Sequence, residues 1–384
     1  MQKKLIALAV AGLVSGGDFA QSNVTISGQL KVGIDNVSAS GATAAGANLT
    51  SRTRLTDNNS NIRFSGTEAL GNGVSALFQV ETSIGTTDCT GTSGAANGAC
   101  GTAGANTIGT RDTFVGLTGG FGTVLAGKLS VHYQSQVNVE SAGLADGLPL
   151  PASSLNLMNN VNGVAITGST RLNNAIGYVT PTWGGFNVML GYTTISENTA
   201  AGLKVKDTGW NLRPRYDNGP IHFTWSYLAV NGAGSTAASM GTDTRSNRVG
   251  AAYDVPGGFK VGLVWDGTKA TAADTGIATK RNAWALPLAY ANGANTFSFT
   301  YAKAGNVNVS NTGDQANTGA KMFMLGYDYA FSKRTSVNVA WVSISNESAA
   351  KYDFWHPSSS VGAGTALPVG VDPRLIGASI WHKF

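Results

Sequence analysis

The chain has 384 residues and a formal net charge of +5, and only 12% of its residues are charged, about half the usual share. It carries 51 glycines against 10 prolines, and Thr, Asn and Ser fill much of the rest, all weak helix formers. No stretch past the N-terminus approaches the roughly 20 apolar residues of a spanning helix, so a membrane-crossing chain of this kind is left with a closed barrel of strands. Composition alone leaves a secreted, Gly-rich adhesin or β-solenoid open. The mildly basic balance gives no reason to expect a nucleic-acid partner.

Residues 1–20 read as an export signal. Lys3 and Lys4 are the positive start, Leu5 to Val14 the apolar run, and Phe19-Ala20-Gln21 the cleavage site. Asp18 is unusual there, because a small residue is expected two before Ala20. Cleavage removes Lys3, Lys4 and Asp18 and takes the charge from +5 to +4. Residues 21–384 are expected to form one barrel domain.

Alternation begins at once. Val24, Ile26, Leu30, Val32 and Ile34 share one parity, and Thr25, Ser27, Gln29, Lys31 and Gly33 the other. This is the period-two pattern of a strand with one apolar face. A long polar connection is expected over Asp35 to Ser60, then a tight turn at Gly71-Asn72-Gly73. Gly85 to Gly109 is a second long connection, and it holds Cys89 and Cys100, the chain's only cysteines. In an exported chain such neighbours are expected to form a local disulfide. A turn at Gly119-Gly120 follows. Val131 to Thr170, after the expected fifth strand, is the longest stretch without alternation; in a wide barrel it can fold inward.

Alternation resumes in Phe186, Val188, Leu190 and Tyr192. It continues in Trp210, Leu212 and Tyr216 against Asn211, Arg213 and Arg215, and in Ile221, Phe223, Trp225 and Tyr227 against His222, Thr224 and Ser226. Phe323, Leu325, Tyr327 and Tyr329 repeat it near the end. Short turns stand at Trp183-Gly184-Gly185, Asn218-Gly219-Pro220, Pro256-Gly257-Gly258, Asn292-Gly293 and Ser332-Lys333-Arg334, while Ala270 to Lys280 and Asn346 to Pro373 are long and polar. Their Gly and Asn residues supply the positive φ of hairpin turns. Seven short turns imply about 16 antiparallel strands, with short turns on the periplasmic side and long loops outside. Aromatic residues near strand ends suit the two membrane interfaces.

The residues opposing the apolar face supply the lumen. Lys31, Arg63, Arg171, Arg213 and Arg215 fall there, since turning a cation to lipid at mid-depth costs about 2–4 kcal/mol. Glu140 and Asp146 are the only carboxylates between Val131 and Thr170, and they are expected across the lumen from the arginines. No catalytic residue, metal ligand or cofactor site is expected. The chain has only four histidines, His132, His222, His356 and His382, and lacks a G-x-S-x-G elbow or an H-E-x-x-H helix. A sugar-selective channel would need a row of inward aromatics, whereas the aromatics here are mainly outward.

Several segments resemble the general porins of β-proteobacteria, over nearly the whole mature chain. Val24-Thr25-Ile26-Ser27-Gly28 is similar to that family's first strand, and Phe64-Ser65-Gly66-Thr67-Glu68-Ala69-Leu70-Gly71-Asn72-Gly73 to its second strand and first turn. Phe114-Val115-Gly116-Leu117 with Gly119-Gly120-Phe121-Gly122-Thr123 is similar to its fourth strand and next turn, and Trp381-His382-Lys383-Phe384 to its closing strand. The resemblance implies a 16-stranded homotrimeric barrel of the outer membrane, surrounded by lipid and lipopolysaccharide, with its third loop folded into the pore. It implies passive diffusion of small hydrophilic solutes and ions, with a modest preference for anions. It implies that Phe384 is read by the barrel-assembly machinery, and that Arg111 and Arg171 belong to a constriction ladder. The chain departs from the family at Asn61 and Ser65, where basic residues are common; Arg63 stands between them on the same face.

Overall fold

A computed structural model describes residues 23–44, 47–57, 59–85, 108–130, 153–166, 170–198, 205–232, 241–272, 274–354, 361 and 367–384. Residues 1–20, expected to be an export signal, and Cys89, Cys100, Glu140 and Asp146 lie outside the described residues.

Strand β1 (Asn23–Ser40) pairs through its first residues with β3 (Asn61–Gly71) and further out with β2 (Leu49–Asp57). β2 and β3 therefore act as one bent strand. β4 (Val74–Ser83), β5 (Thr113–Gly119) and β6 (Gly122–Ser130) follow in an antiparallel meander. The described part of the third loop holds a one-turn helix, α1 (Leu155–Met158), and a small hairpin, β7 (Asn160–Val161) with β8 (Val164–Ala165). The meander resumes with β9 (Arg171–Val179), β10 (Phe186–Asn198), β11 (Val205–Asn218), β12 (Ile221–Asn231), β13 (Thr242–Val255) and β14 (Phe259–Ala272). It ends with β15 (Ala278–Asn292), β16 (Asn295–Ala304), β19 (Ala320–Ala330), β20 (Thr335–Asn346) and β21 (Asp372–Lys383). The short pair β17 (Val307–Val309) and β18 (Gly313–Gln315) decorates the connection between β16 and β19. β21 pairs back onto β1 from Gln29 to Ser40, so the sheet closes. With β2 and β3 taken together it has the expected 16 strands, and no edge is left for aggregation.

The turns sit where the glycines and asparagines stand. Gly71, Asn72 and Gly73 have φ of 87°, 51° and 73°, a region where Cβ-bearing residues are strained. Two of the expected long loops are shorter than the sequence suggested. β1 runs on to Ser40 and β2 begins at Leu49, so most of Asp35 to Ser60 is strand; likewise β14 reaches Ala272 and β15 starts at Ala278. These strand ends stand clear of lipid, so both faces can be polar, and backbone pairing persists where alternation fades.

Val24, Ile26, Leu190, Trp210, Phe223, Leu263, Trp284, Leu325 and Ile376 are exposed on the outside of the barrel, as a lipid-facing surface requires. Their rings form two rows. Phe259, Tyr290, Phe297 and Tyr327 touch in sequence near the short turns, with centroids 4.4, 6.5 and 5.1 Å apart. Trp284, Tyr301 and Phe323 form a second row higher up, at 5.2 and 4.9 Å.

The interior is not uniformly polar. Leu157 and Met158 of α1 are buried against Met322, Met324, Val342 and Ile344 from the barrel wall and Tyr352 from the last loop. A loop that enters the barrel brings its own apolar side chains, and the wall facing it must be apolar to bury them.

Candidate pore constriction

One group of charged side chains gathers on the arc of wall from β3 to β9. β4 turns Phe78 outward, so Gln79 and Glu81 point inward by pleat. Register sets Glu81 opposite Arg63, and Arg63 Nη2 lies 3.1 Å from Glu81 Oε2. Arg111 Nε reaches the other carboxylate oxygen, and Arg111 Nη1 donates to Asn59 Oδ1 at 2.5 Å. Arg111 shares parity with the exposed Val115 and Leu117, yet β5 begins only at Thr113. Upstream of it the backbone bends, with Arg111 N–H donating to Glu81 O at 3.0 Å, and the guanidinium turns inward.

Asp112 continues the array. It accepts Arg171 Nε at 3.1 Å and Ser130 Oγ at 2.8 and 2.7 Å. Gln79 links the two halves by donating to Glu81 Oε2 and to Asp112 O, both at 3.2 Å. Arg63, Arg111 and Arg171 thus surround Glu81 and Asp112, and three cations against two carboxylates leave one net positive charge. The Arg63 side chain is 43% exposed, so the array is wet on the lumen side. Sequence reasoning missed both carboxylates. Glu81 was legible, because it shares inward parity with Gln79; Asp112 stands at an irregular strand entry and was not.

Simple alternation also fails beside Arg171. Asn174 has φ of 52° and the β6–β9 register slips between Gly127 and Leu129. Leu172, which shares parity with the exposed Ile176, is buried inside against Val161, Ile166 and Leu228.

The other basic candidates do not join this array. Lys31 faces inward but is only 2% exposed, with Nζ 4.3 Å above the Trp381 ring. Arg213 is buried beside Met189 Sδ. Arg215 pairs with Asp217 near the β11–β12 turn, in a separate group where His222 stands 2.8 Å from Asp217 and 3.3 Å from Asp254, and Lys260 binds Asp254 at 3.1 Å.

A third group holds the inward loop. Asp266 on β14 accepts Arg248 Nε at 3.0 Å and Arg281 Nη1 at 2.6 Å. Arg248 Nη2 donates to Met158 O and Asn159 Oδ1 at 3.1 and 3.0 Å, and Arg281 Nη2 to Met158 O and Asn160 O at 2.9 and 2.8 Å. The wall therefore grips the carbonyls at the end of α1, which a one-turn helix leaves without internal partners.

A closed barrel with a gripped inner loop and a wet arginine wall is the geometry of a diffusion channel. The Gram-negative porin family model matches residues 7–349. The chain belongs to the Gram-negative porin family. Among solved structures, the porin is similar to an anion-selective porin from Comamonas acidovorans, with a TM-score of 0.71 and 24% identity over 95% of this chain and all of that one. It is similar to the trimer form of OmpT, an outer membrane protein of Vibrio cholerae, with a TM-score of 0.65 and 12% identity over 94% of this chain and 99% of that one. It is also similar to Salmonella typhi OmpF in complex with daunomycin, at 0.59 and 14% over 95% and 99%. No curated protein sequence matches it. The porin is an outer-membrane β-barrel that forms a channel for passive diffusion, and its fold and family are those of a channel rather than an enzyme.

Proposed function

We propose that the porin passes small hydrophilic solutes and ions with a modest preference for anions, and that Arg63, Arg111 and Arg171 set that preference. The carrying observation is the surplus of one positive charge in the wall array. Lumen cations raise the local anion concentration, and low-dielectric walls focus that field. The preference is modest because Glu81 and Asp112 cancel most of the arginine charge. Glu140 and Asp146 are assigned to the negative side of the constriction, on the third loop. The similar Comamonas protein is itself called anion-selective. The channel needs no reaction and no cofactor. Lys31, Arg213 and Arg215 contribute to the lumen field away from the narrowest point.

The working form is a homotrimer, in keeping with the trimeric Vibrio structure, exported with loss of residues 1–20 and with Cys89 bonded to Cys100. Phe384 serves the assembly machinery as its recognition signal. Its backbone exchanges hydrogen bonds with Gly28 at 3.0 and 3.1 Å, which fixes the last residue against the first strand.

The test is the reversal potential in a planar bilayer under a salt gradient. The wild type should favour anions at 0.1 M and lose most of that preference at 1 M, as the screening length falls from about 10 Å to about 3 Å. Arg111→Ser with Arg171→Ser changes the array from one net positive to one net negative charge and should shift the reversal potential toward cations with the pore still open. Unchanged selectivity at low salt in that double variant would refute the arginine wall.

A further inference from the structure

Arg213 on β11 faces the interior without an acidic partner. It is 8% exposed and enters none of the ion pairs among the described residues. Its Nε has no hydrogen-bond partner among the described residues. Its Nη2 meets the thioether of Met189, the residue opposite it on β10, and sulfur is a weak acceptor. The next carboxylate toward the turn, Asp217, is held by Arg215 and His222. A buried charge normally comes with a counter-charge, so Arg213 calls for an anion from elsewhere.

Met189 also edges an apolar recess in the same stretch of wall. Gly177 on β9 pairs with Gly191 on β10. Both share the inward parity of Ala175, Thr193 and Asn211, whereas Ile176, Leu190 and Trp210 are exposed on the outside. The facing glycines leave a hollow of about 170 Å³, with Leu125, Leu172, Val179 and Met189 at its sides. Leu125 stands opposite Gly177, and Val179 opposite Met189. An apolar cavity of roughly 150 Å³ holds a benzene molecule, so this recess suits a ring or a short branched chain. Apart from its chain neighbours, a Cβ at Gly191 would meet only Asn211 within 4 Å, at 3.8 Å.

The two ends of the recess differ. Asp112 and Ser130 border it at the loop end, and the Asp112 carboxylate already accepts Arg171 and Ser130. Arg213 lies beyond Met189, at the end toward the short turns. A molecule seated here with one charged group meets a satisfied carboxylate at one end and an unpaired guanidinium at the other. Charge complementarity selects an anion, and a planar carboxylate matches the guanidinium fork. Met189 is unbranched and adaptable, so its thioether can give way to that carboxylate.

We propose that the recess is a binding subsite for small monocarboxylates with an apolar body, the body lying over Gly177 and Gly191 and the carboxylate on Arg213. The inference rests on the reading of the lumen as a path for small anionic solutes and names one class that the wall retains. The probe is para-fluorobenzoate at neutral pH, followed by fluorine NMR line broadening with the porin in mild detergent and the signal of empty micelles subtracted. The wild type should bind it saturably. It should bind para-fluorobenzyl alcohol at least about tenfold more weakly, the loss expected for a hydrogen bond to a charged group. An equal concentration of acetate, which lacks the apolar body, should not displace the probe. Gly191→Leu fills the hollow on a backbone without positive φ, and Arg213→Met removes the charge at similar length. Each should weaken binding at least about tenfold while the barrel stays heat-resistant on gel electrophoresis. If one variant fails to fold, the other variant and the two ligand comparisons decide. Undiminished binding by the folded variants would overturn the proposal. So would equal binding of the alcohol, or displacement by equimolar acetate, which would mark a general anion site. The assay reads no current, so a wild type that does not conduct in a bilayer would sink the channel reading and leave the binding result to stand on its own.

Discussion

Replacing Asp266 by alanine should release the inner loop while leaving the barrel closed. Asp266, Arg248 and Arg281 have side chains exposed by 0%, 1% and 0%, and the carboxylate sits between the two guanidiniums. Its removal leaves two buried cations without their counter-charge, and breaking one buried pair typically costs about 3–5 kcal/mol. The barrel does not have to pay this, because its strands hold one another by a closed ladder of backbone bonds. The cheaper relief is to let water reach the arginines by lifting the segment around Met158 and Asn160 off the wall. At 1.4 kcal/mol per factor of ten, the balance between seated and lifted loop shifts by about a hundredfold or more. Single-channel recording should show larger or fluctuating conductance, with an unchanged β-type circular dichroism spectrum. Replacing the triad by similarly sized apolar residues, Arg248→Met, Asp266→Leu and Arg281→Met, should disturb the channel less than Asp266→Ala alone, since no charge is then stranded. If Asp266→Ala keeps wild-type conductance and noise, the proposed grip on the loop is wrong.

A Cβ at Gly28 would stand 2.4 Å from Asn61 O and 2.7 Å from the Phe384 ring, so Gly28→Val should sharply lower the yield of heat-resistant barrel on gel electrophoresis. Gly120→Ala, with nothing within 4 Å, should not. Tyr352, in the last loop, has its phenol pushed above the usual tyrosine range by burial, against a smaller opposing pull from Arg281. Its neutral form is thus favoured in the folded state; that stabilisation is present below the unfolded value near pH 10 and is lost as pH rises through the higher folded value. Tyrosinate absorbance should therefore keep a late-titrating component that Tyr352→Phe removes. Peptide mass analysis of protein from intact cells should find Cys89 and Cys100 linked; two free thiols would rule the bond out.

Much of this porin is legible locally. Period-two alternation reports which side of a strand meets lipid, because each outward residue answers to the same solvent whatever its neighbours are. Gly and Asn at six of the seven short turns report hairpins, because positive φ is a property of single residues. Together they give the strand count, the closed barrel and the inward parity of Lys31, Arg63, Arg213 and Arg215. Which of those cations gather in one array was decided only by tertiary structure. Lys31 lies sealed under Trp381 and Arg213 against Met189, while Arg111, with the wrong parity, joins the wall because the chain bends before Thr113. The pairing of Arg63 and Arg111 with Glu81, and of Arg171 with Asp112, depends on register between strands far apart in sequence. So does the grip of Arg248, Asp266 and Arg281 on Met158. Alternation carries no record of register, since sliding one strand by two residues leaves every face unchanged and moves every cross-strand partner.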